Sequence, residues 1–138
     1  PFESIVFERG LILDYSVEEG ITVYGDGDQL GQLVSILLDN ALEHSMDGGT
    51  IRISLKRERN SAILSVSNLG EPIPEEQRIQ IFERFYRGDM SRTGGANHYG
   101  LGLAIAKAIV TAHRGKIAVS CNDNITEFSA TIPFGHVK

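Results

Sequence analysis

Residues 30–45, LGQLVSILLDNALEHS, place Leu30, Leu33, Val34, Leu37, Leu38, Ala41 and Leu42 at i, i+3, i+4, i+7, i+8, i+11 and i+12. This is the period of an amphipathic helix, predicted over about 27–45, started by Asp26 or Asp28 as cap and stopped by Asp47-Gly48-Gly49. Upstream, residues 11–16 and 21–24 are short, β-branched and aromatic, and the spacer Glu18-Glu19-Gly20 makes them read as a hairpin. Downstream, Ile51/Ile53/Leu55 and Ala62/Leu64/Val66 alternate about a polar stretch and predict a second hairpin, ended by Pro72 and Pro74. A short helix is expected at about 75–83. Residues 84–99 then show little periodicity, and a segment of that length without structure of its own is usually functional or mobile.

The next helix, about 100–113, is apolar nearly all round and should therefore be buried. Two strands, about 116–121 and 126–132, turn at Asn122-Asp123-Asn124. Residues 1–10 form an opening segment, helical or irregular. Strands in consecutive pairs predict an α+β fold: a two-layer sandwich with a mostly antiparallel, mixed sheet and helices on one face.

With 138 residues, 41% hydrophobic and 22% charged, the chain has the composition of one globular domain, 1–138. Disordered, collagenous and disulfide-scaffold classes are excluded, and the single Cys121 cannot form an intrachain disulfide or a cysteine zinc cluster. A formal charge of −5 gives no long-range attraction to nucleic acid or an anionic membrane. Only 84–92, with Arg84, Arg87 and Arg92 against Asp89, approaches a basic patch. No apolar run is long enough to span a bilayer. The first residues read like the middle of a longer sequence, so a domain of a larger protein is expected.

Three polar residues share faces with apolar neighbours. Asn40 falls beside Leu33 and His44 at the edge of the helical stripe. Asn68 alternates with Leu64 and Val66, and Thr126 with Phe128, Ala130 and Ile132. Inward polar groups need partners. Each has an ordinary reading: a backbone partner for Asn40, a turn for Asn68, a good strand former at Thr126. The functional reading is that all three line one pocket for a polar ligand. Gly94, Gly95, Gly100 and Gly102 lead into a helix, where backbone N–H groups can approach phosphate oxygens. Neither the P-loop ending nor the dinucleotide glycine pattern is completed, and a flexible surface loop is the plain alternative.

In this order, ILLDNALEHS (36–45), SVSNLGEPIP (65–74), IFERFYRGD (81–89), YGLGLAIAK (99–107), HRGKI (113–117) and TEFSATIP (126–133) resemble the ATP-binding catalytic domain of bacterial sensor histidine kinases. The resemblance runs from about Leu11 to Pro133 and implies the Bergerat-type sandwich. It also implies roles. Asn40 looks like the asparagine holding Mg²⁺ against the triphosphate, in keeping with an ion that takes most of its oxygens from water and phosphate. Asn68 stands where most members carry an aspartate that reads the adenine amino group; an amide oxygen can still accept that bond, but its NH₂ then needs an acceptor. Gly70 and Ile73 would approach the base and Thr126 would add a hydroxyl. Residues 84–98 resemble the ATP lid, with Phe82, Phe85 and Tyr86 anchoring its start and Arg84 or Arg87 neutralising phosphate. Gly100, Leu101, Gly102 and Leu103 would close on the phosphates, and His98 and Tyr99 would be pocket residues.

Two further departures bear on chemistry. Glu43 stands where the family often has a basic residue, and Ile36 where ATP-hydrolysing relatives have a water-activating glutamate. The resemblance therefore implies a kinase that binds Mg²⁺ and ATP and transfers the γ-phosphate to a histidine. No segment resembles the phosphoacceptor motif, since His44, His98, His113 and His136 lie in other contexts. The acceptor is expected on a dimerisation domain of the same or a partner chain, followed by a response regulator. The implied setting is the cytoplasmic part of a membrane-anchored, homodimeric sensor, without direct nucleic-acid or membrane contact. An ATP-gated conformational ATPase and a degenerate docking domain remain alternatives at this level.

Overall fold

The computed structural model describes residues 2–84 and 97–135. Helix α1 (Phe2–Glu8) leads to strand β1 (Ile12–Val17), helix α2 (Gly27–His44) and strands β2 (Thr50–Glu58) and β3 (Ser61–Leu69). Two 3₁₀ turns, Glu75–Gln77 and Gln80–Phe82, follow; then come α3 (Asn97–Ala112), β4 (Lys116–Asn122) and β5 (Ile125–Pro133). The sheet order is β1-β2-β3-β5-β4. The β1–β2 pair is parallel and the other three pairs are antiparallel, so the expected mixed, mostly antiparallel sheet is present.

The register gives the sheet two chemically different faces. Side chains alternate across a strand, so residues directly opposite one another lie in rows on the same face. One row runs Tyr15, Ile53, Val66, Phe128 and Val119, and the next Val17, Leu55, Leu64, Ala130 and Ile117. From Ile53, Val66, Phe128 and Ala130 these rows meet Leu33, Leu37 and Ala41 of α2 and Leu103, Ala106, Ile109 and Val110 of α3 in one buried core, while Tyr15 and Val17 at the β1 edge are exposed. The opposite face carries Asp14, Arg52, Ser67, Glu127 and Ser120 in one row and Ser16, Ser54, Ser65 and Ser129 in another. Hydroxyls and charges there need no cover, which leaves the helices on a single side.

Three expectations are corrected. The segments 11–16 and 21–24 do not form a hairpin: β1 instead pairs in parallel with β2, across the α2 crossover. Residues 21–24 alternate because Ile21 and Val23 turn toward the apolar end of the core near Leu30 and Leu33, and the Tyr24 N–H reaches the Phe134 carbonyl at 3.2 Å. The short helix at 75–83 is two separate 3₁₀ turns, with the Arg78 Nε turned back to the Ile73 carbonyl at 3.0 Å. And α3 is not buried all round: Leu101 and Ile105 face solvent while Leu103 and Val110 are fully enclosed. Small alanines lower the contrast between its faces, so composition overstated its burial. The helix also begins at Asn97, three residues before the expected start.

The ends of both long helices are tied by side chains and backbone. Asp26 caps α2 by accepting the Gln29 N–H at 3.0 Å. The Asp26 N–H in turn donates to His113 Nε2 at 3.1 Å, and the His113 Nδ1 lies 2.8 Å from the Ile109 carbonyl. This fits a neutral ring with the proton on Nδ1. Beyond α3, the Arg114 N–H bonds to the Thr111 carbonyl and the Gly115 N–H to the Val110 carbonyl, a Schellman closure with Arg114 at φ 65°. A β-carbon at Gly115 would lie 2.1 Å from the Thr131 carbonyl oxygen.

Those two neighbours predict opposite responses to substitution. Arg114→Gly relieves a left-handed conformation that is costly for a residue with a β-carbon, and is expected to raise stability by about 0.5–1 kcal/mol. Gly115→Ala forces backbone apart and is expected to cost about 1–3 kcal/mol. Urea unfolding of the two variants measures both; equal stabilities would contradict this description of the α3–β4 junction.

Candidate nucleotide-binding site

The third row on the helix side of the sheet turns polar as it crosses from β2 to β4: Leu13, Ile51, Asn68, Thr126 and Cys121. Asn68 and Thr126 are therefore direct cross-strand neighbours, and Asn40, Asn68 and Thr126 are only 8%, 3% and 5% exposed. The three residues expected to point inward all do so.

The last turn of α2 is docked onto the end of β3. Asn68 Nδ2 donates to the His44 carbonyl at 3.2 Å, and the Met46 N–H donates to the Leu69 carbonyl at 2.9 Å. Gly70 completes the joint: a β-carbon there would sit 2.4 Å from the His44 oxygen and 3.0 Å from Asn68 Nδ2. The helix carbonyl that would otherwise lack an intrahelical partner is thus satisfied by the strand. Its acceptor role also settles the Asn68 amide, because only the NH₂ can donate to a carbonyl; the Oδ1 is left as the outward acceptor. Asn40 lies one turn before His44, about 6 Å back along the helix axis.

The Asn40 side chain makes no hydrogen bond among the described residues, although no wholly buried side-chain nitrogen or oxygen there lacks a partner. Its amide is therefore enclosed but still open at its polar end, the state of a group that can take up a ligand. On the β4 side, Cys121 Sγ accepts the Ile73 N–H at 3.3 Å and lies 3.6 Å from Thr126 Oγ1. This cysteine holds the Gly70–Ile73 segment against the strand pair. The sequence gives Cys121 no role at the site, although the turn read at Asn122-Asp123-Asn124 already brings its strand back beside Thr126; in the structure Asp123 and Asn124, both at positive φ, make that turn and set Cys121 opposite Thr126.

Other expected residues are distributed unevenly. Phe82 and Leu103 are core side chains, Phe82 meeting Phe128 edge-on with ring centroids 6.0 Å apart. Leu101 is exposed on α3, and Gly102 faces Ile36, whose Cγ2 would lie 3.7 Å from a β-carbon at that position. Arg84 is exposed at the end of the described segment. Phe85, Tyr86 and Arg87 and the greater part of the expected lid lie outside the described residues, and of His98, Tyr99 and Gly100 only the helical backbone is described.

The Gly70 contact generates a direct expectation. Gly70→Ala should push the α2 terminus off β3 and destabilise the fold by about 1–3 kcal/mol. Thermal unfolding together with amide exchange at Met46 measures this, and an unchanged Met46 amide would show that the close approach is not limiting.

Residues 25–136 match the family described as histidine kinase-, DNA gyrase B-, and HSP90-like ATPase. Among curated proteins, the chain is 39% identical over 116 residues to the sensor protein DltS of Streptococcus agalactiae, covering 84% of this chain and 29% of that protein. It is 38% identical over 130 residues to the signal transduction histidine-protein kinase BaeS of Escherichia coli, covering 94% of this chain and 26% of that one. The chain thus spans less than a third of the length of these curated relatives. Among solved structures, the nucleotide-free catalytic domain of histidine kinase ThkA superposes with a TM-score of 0.83 at 28% identity, over 96% of this chain and 86% of that one. ThkA in complex with the response regulator protein TrrA gives 0.81 at 28% identity, over 97% and 37%. On the matched residues, the shared sheet and these relatives, the chain belongs to the histidine kinase-, DNA gyrase B- and HSP90-like ATPase family, on the side of the sensor histidine kinase catalytic domains.

Proposed function

We propose that this chain binds Mg·ATP at the α2–β3 joint and presents the γ-phosphate to a histidine imidazole on a separate dimerisation domain. The observation that carries the reading is the Asn68 amide, held by the His44 carbonyl so that its Oδ1 stays available as an acceptor beside Thr126. An adenine amino group is a donor of matching sign, and the Thr126 hydroxyl can bond either a ring nitrogen or a bridging water. The amide NH₂, which a sequence reading leaves without an acceptor, has one in the helix carbonyl.

Asn40 offers one neutral oxygen, and the described residues contain no cluster of three or more His, Cys, Asp or Glu side chains able to hold a metal on their own. That donor set suits an ion that keeps most of its shell as water and phosphate oxygens. Bound there, Mg²⁺ would offset triphosphate charge. Arg84 and Arg87 would add positive charge at the phosphate end, and the N-terminal turns of α3, with Gly100 and Gly102, would offer backbone N–H groups. Phosphoryl transfer depends mostly on positioning and charge neutralisation. The acceptor nitrogen forms a bond to the γ-phosphorus as the bond to the β–γ bridging oxygen breaks and ADP leaves.

The apolar Ile36, packed toward Gly102, supplies no base for water at this place. That favours transfer to another domain over an ATP-hydrolysing motor. In the full protein, the partners would be a phosphoacceptor domain within a homodimer and a response regulator, as ThkA is seen with TrrA. The setting would be cytoplasmic; no helix among the described residues is long and apolar enough to cross a membrane.

Mg·ATP, or a non-hydrolysable analogue, at about a hundredfold above Kd is expected to stabilise the chain by ~2.7 kcal/mol. Asn40→Ala should lose the Mg²⁺-dependent part of that gain while the apo protein still unfolds cooperatively. Calorimetry with and without Mg²⁺ measures both, and a variant that binds Mg·ATP as the parent does would remove Asn40 from the metal site. ATP hydrolysis by the isolated chain should be very slow; brisk turnover would favour the motor class instead. Asn68→Asp sets a carboxylate against the His44 carbonyl, so weaker nucleotide binding is expected although aspartate is the commoner residue there. Tighter binding by that variant would overturn the orientation assigned to Asn68.

A further inference from the structure

Arg9, the residue that follows α1, directs its whole guanidinium at the segment that ends α2. Its Nη1 donates to the Leu42 carbonyl and its Nη2 to the Ser45 carbonyl, while Nε pairs with Asp47 Oδ1 at 2.7 Å. Its own carbonyl accepts the Gly48 N–H at 3.1 Å, and three residues on the Ile12 N–H reaches the Gly49 carbonyl at 2.9 Å. The Arg9 side chain is 28% exposed and Asp47 is 75% exposed, so the carbonyl bonds are the sheltered part of this contact and the ion pair is the wet part.

The carbonyls at a helix C-terminus have no partners within the helix. In α2 they are divided between two distant side chains: Leu42 and Ser45 go to Arg9, and His44, between them in sequence, goes to Asn68. A cation at this end also meets the negative pole of the helix. The two claims on one turn are not independent. If Arg9 is withdrawn, the turn keeps its Met46 N–H bond to the Leu69 carbonyl but loses both side-chain donors on its other carbonyls, so the His44 carbonyl that orients Asn68 is held less firmly.

We propose that Arg9 is a positioning residue for the nucleotide pocket, holding the last turn of α2 so that the His44 carbonyl keeps the Asn68 amide oriented. This rests on the reading of Asn68 as the adenine acceptor. It also links α1 to the site. Phe2 and Val6 of α1 are packed on the core, whereas Ile5 and Phe7 are exposed. A force that lifts α1 away would weaken nucleotide binding, and bound nucleotide would hold α1 down by the same factor.

The test uses the chain labelled with ¹⁵N, following the Asn68 side-chain NH₂ resonances and their exchange with water, and Mg·ATP affinity by titration. In Arg9→Gln the Asn68 NH₂ should exchange faster and affinity should fall by about tenfold. Arg9→Lys, which keeps the charge but can serve fewer carbonyls, should fall between. Asp47→Asn should stay close to the parent, since only the exposed pair is lost. Should Arg9→Gln fail to fold, Arg9→Lys carries both readouts. Unchanged Asn68 NH₂ exchange in a folded Arg9 variant, or unchanged affinity beside a lowered melting temperature, would reduce Arg9 to a structural cap and overturn the proposal. A parent chain that binds no Mg·ATP would count against the nucleotide reading itself, while the Asn68 exchange would still decide whether Arg9 orients that amide.

Discussion

The hydrogen bond from Asn68 Nδ2 to the His44 carbonyl is the contact on which the rest of the candidate site depends. It closes the end of α2, fixes which way the amide faces, and sets the helix terminus at the end of β3. Gly70 is confined to a residue without a β-carbon by the same oxygen. Nearly every residue assigned to the base-binding end is either a party to this joint or its neighbour in the Asn68–Thr126–Cys121 row.

A sheet with one apolar and one hydroxyl-rich face makes that possible. The apolar rows are buried under α2 and α3 except at their β1 ends, and the row that turns polar is the next one along the strands, where Asn68 and Thr126 are themselves buried. Buried polar atoms there carry a real cost unless they find partners. The chain meets that cost by different means at each position: a helix carbonyl for Asn68, a cysteine sulfur near Thr126, and an open polar end for Asn40.

Much of this was legible in the sequence, and for identifiable reasons. The α2 period runs over three turns without interruption, and the inward direction of Asn40, Asn68 and Thr126 follows from periods of 3.6 and 2. What periodicity cannot report is which strand pairs with which. Ile21 and Val23 alternate like a strand because they cover the end of the core, and β1 found a parallel partner beyond a whole helix. The alanines of α3 concealed its exposed face. Long-range clamps such as Arg9 on Leu42 and Ser45, or His113 on Asp26, involve carbonyl and amide groups that every residue has, so no residue type announces them.

The departures from the family pattern are a neutral amide at position 68, a carboxylate at Glu43 where a basic residue is often found, and an apolar Ile36. In the proposed site Asn68 would contribute orientation, while the charge that offsets phosphate would come from Mg²⁺ and the arginines. The most direct test of that account is the structure of the chain with Mg²⁺ and a non-hydrolysable ATP analogue. The account predicts the adenine amino group on Asn68 Oδ1, with Nδ2 still on the His44 carbonyl and Asn40 facing the metal. An adenine bound elsewhere, or an Asn68 amide turned so that its NH₂ faces the base, would contradict it.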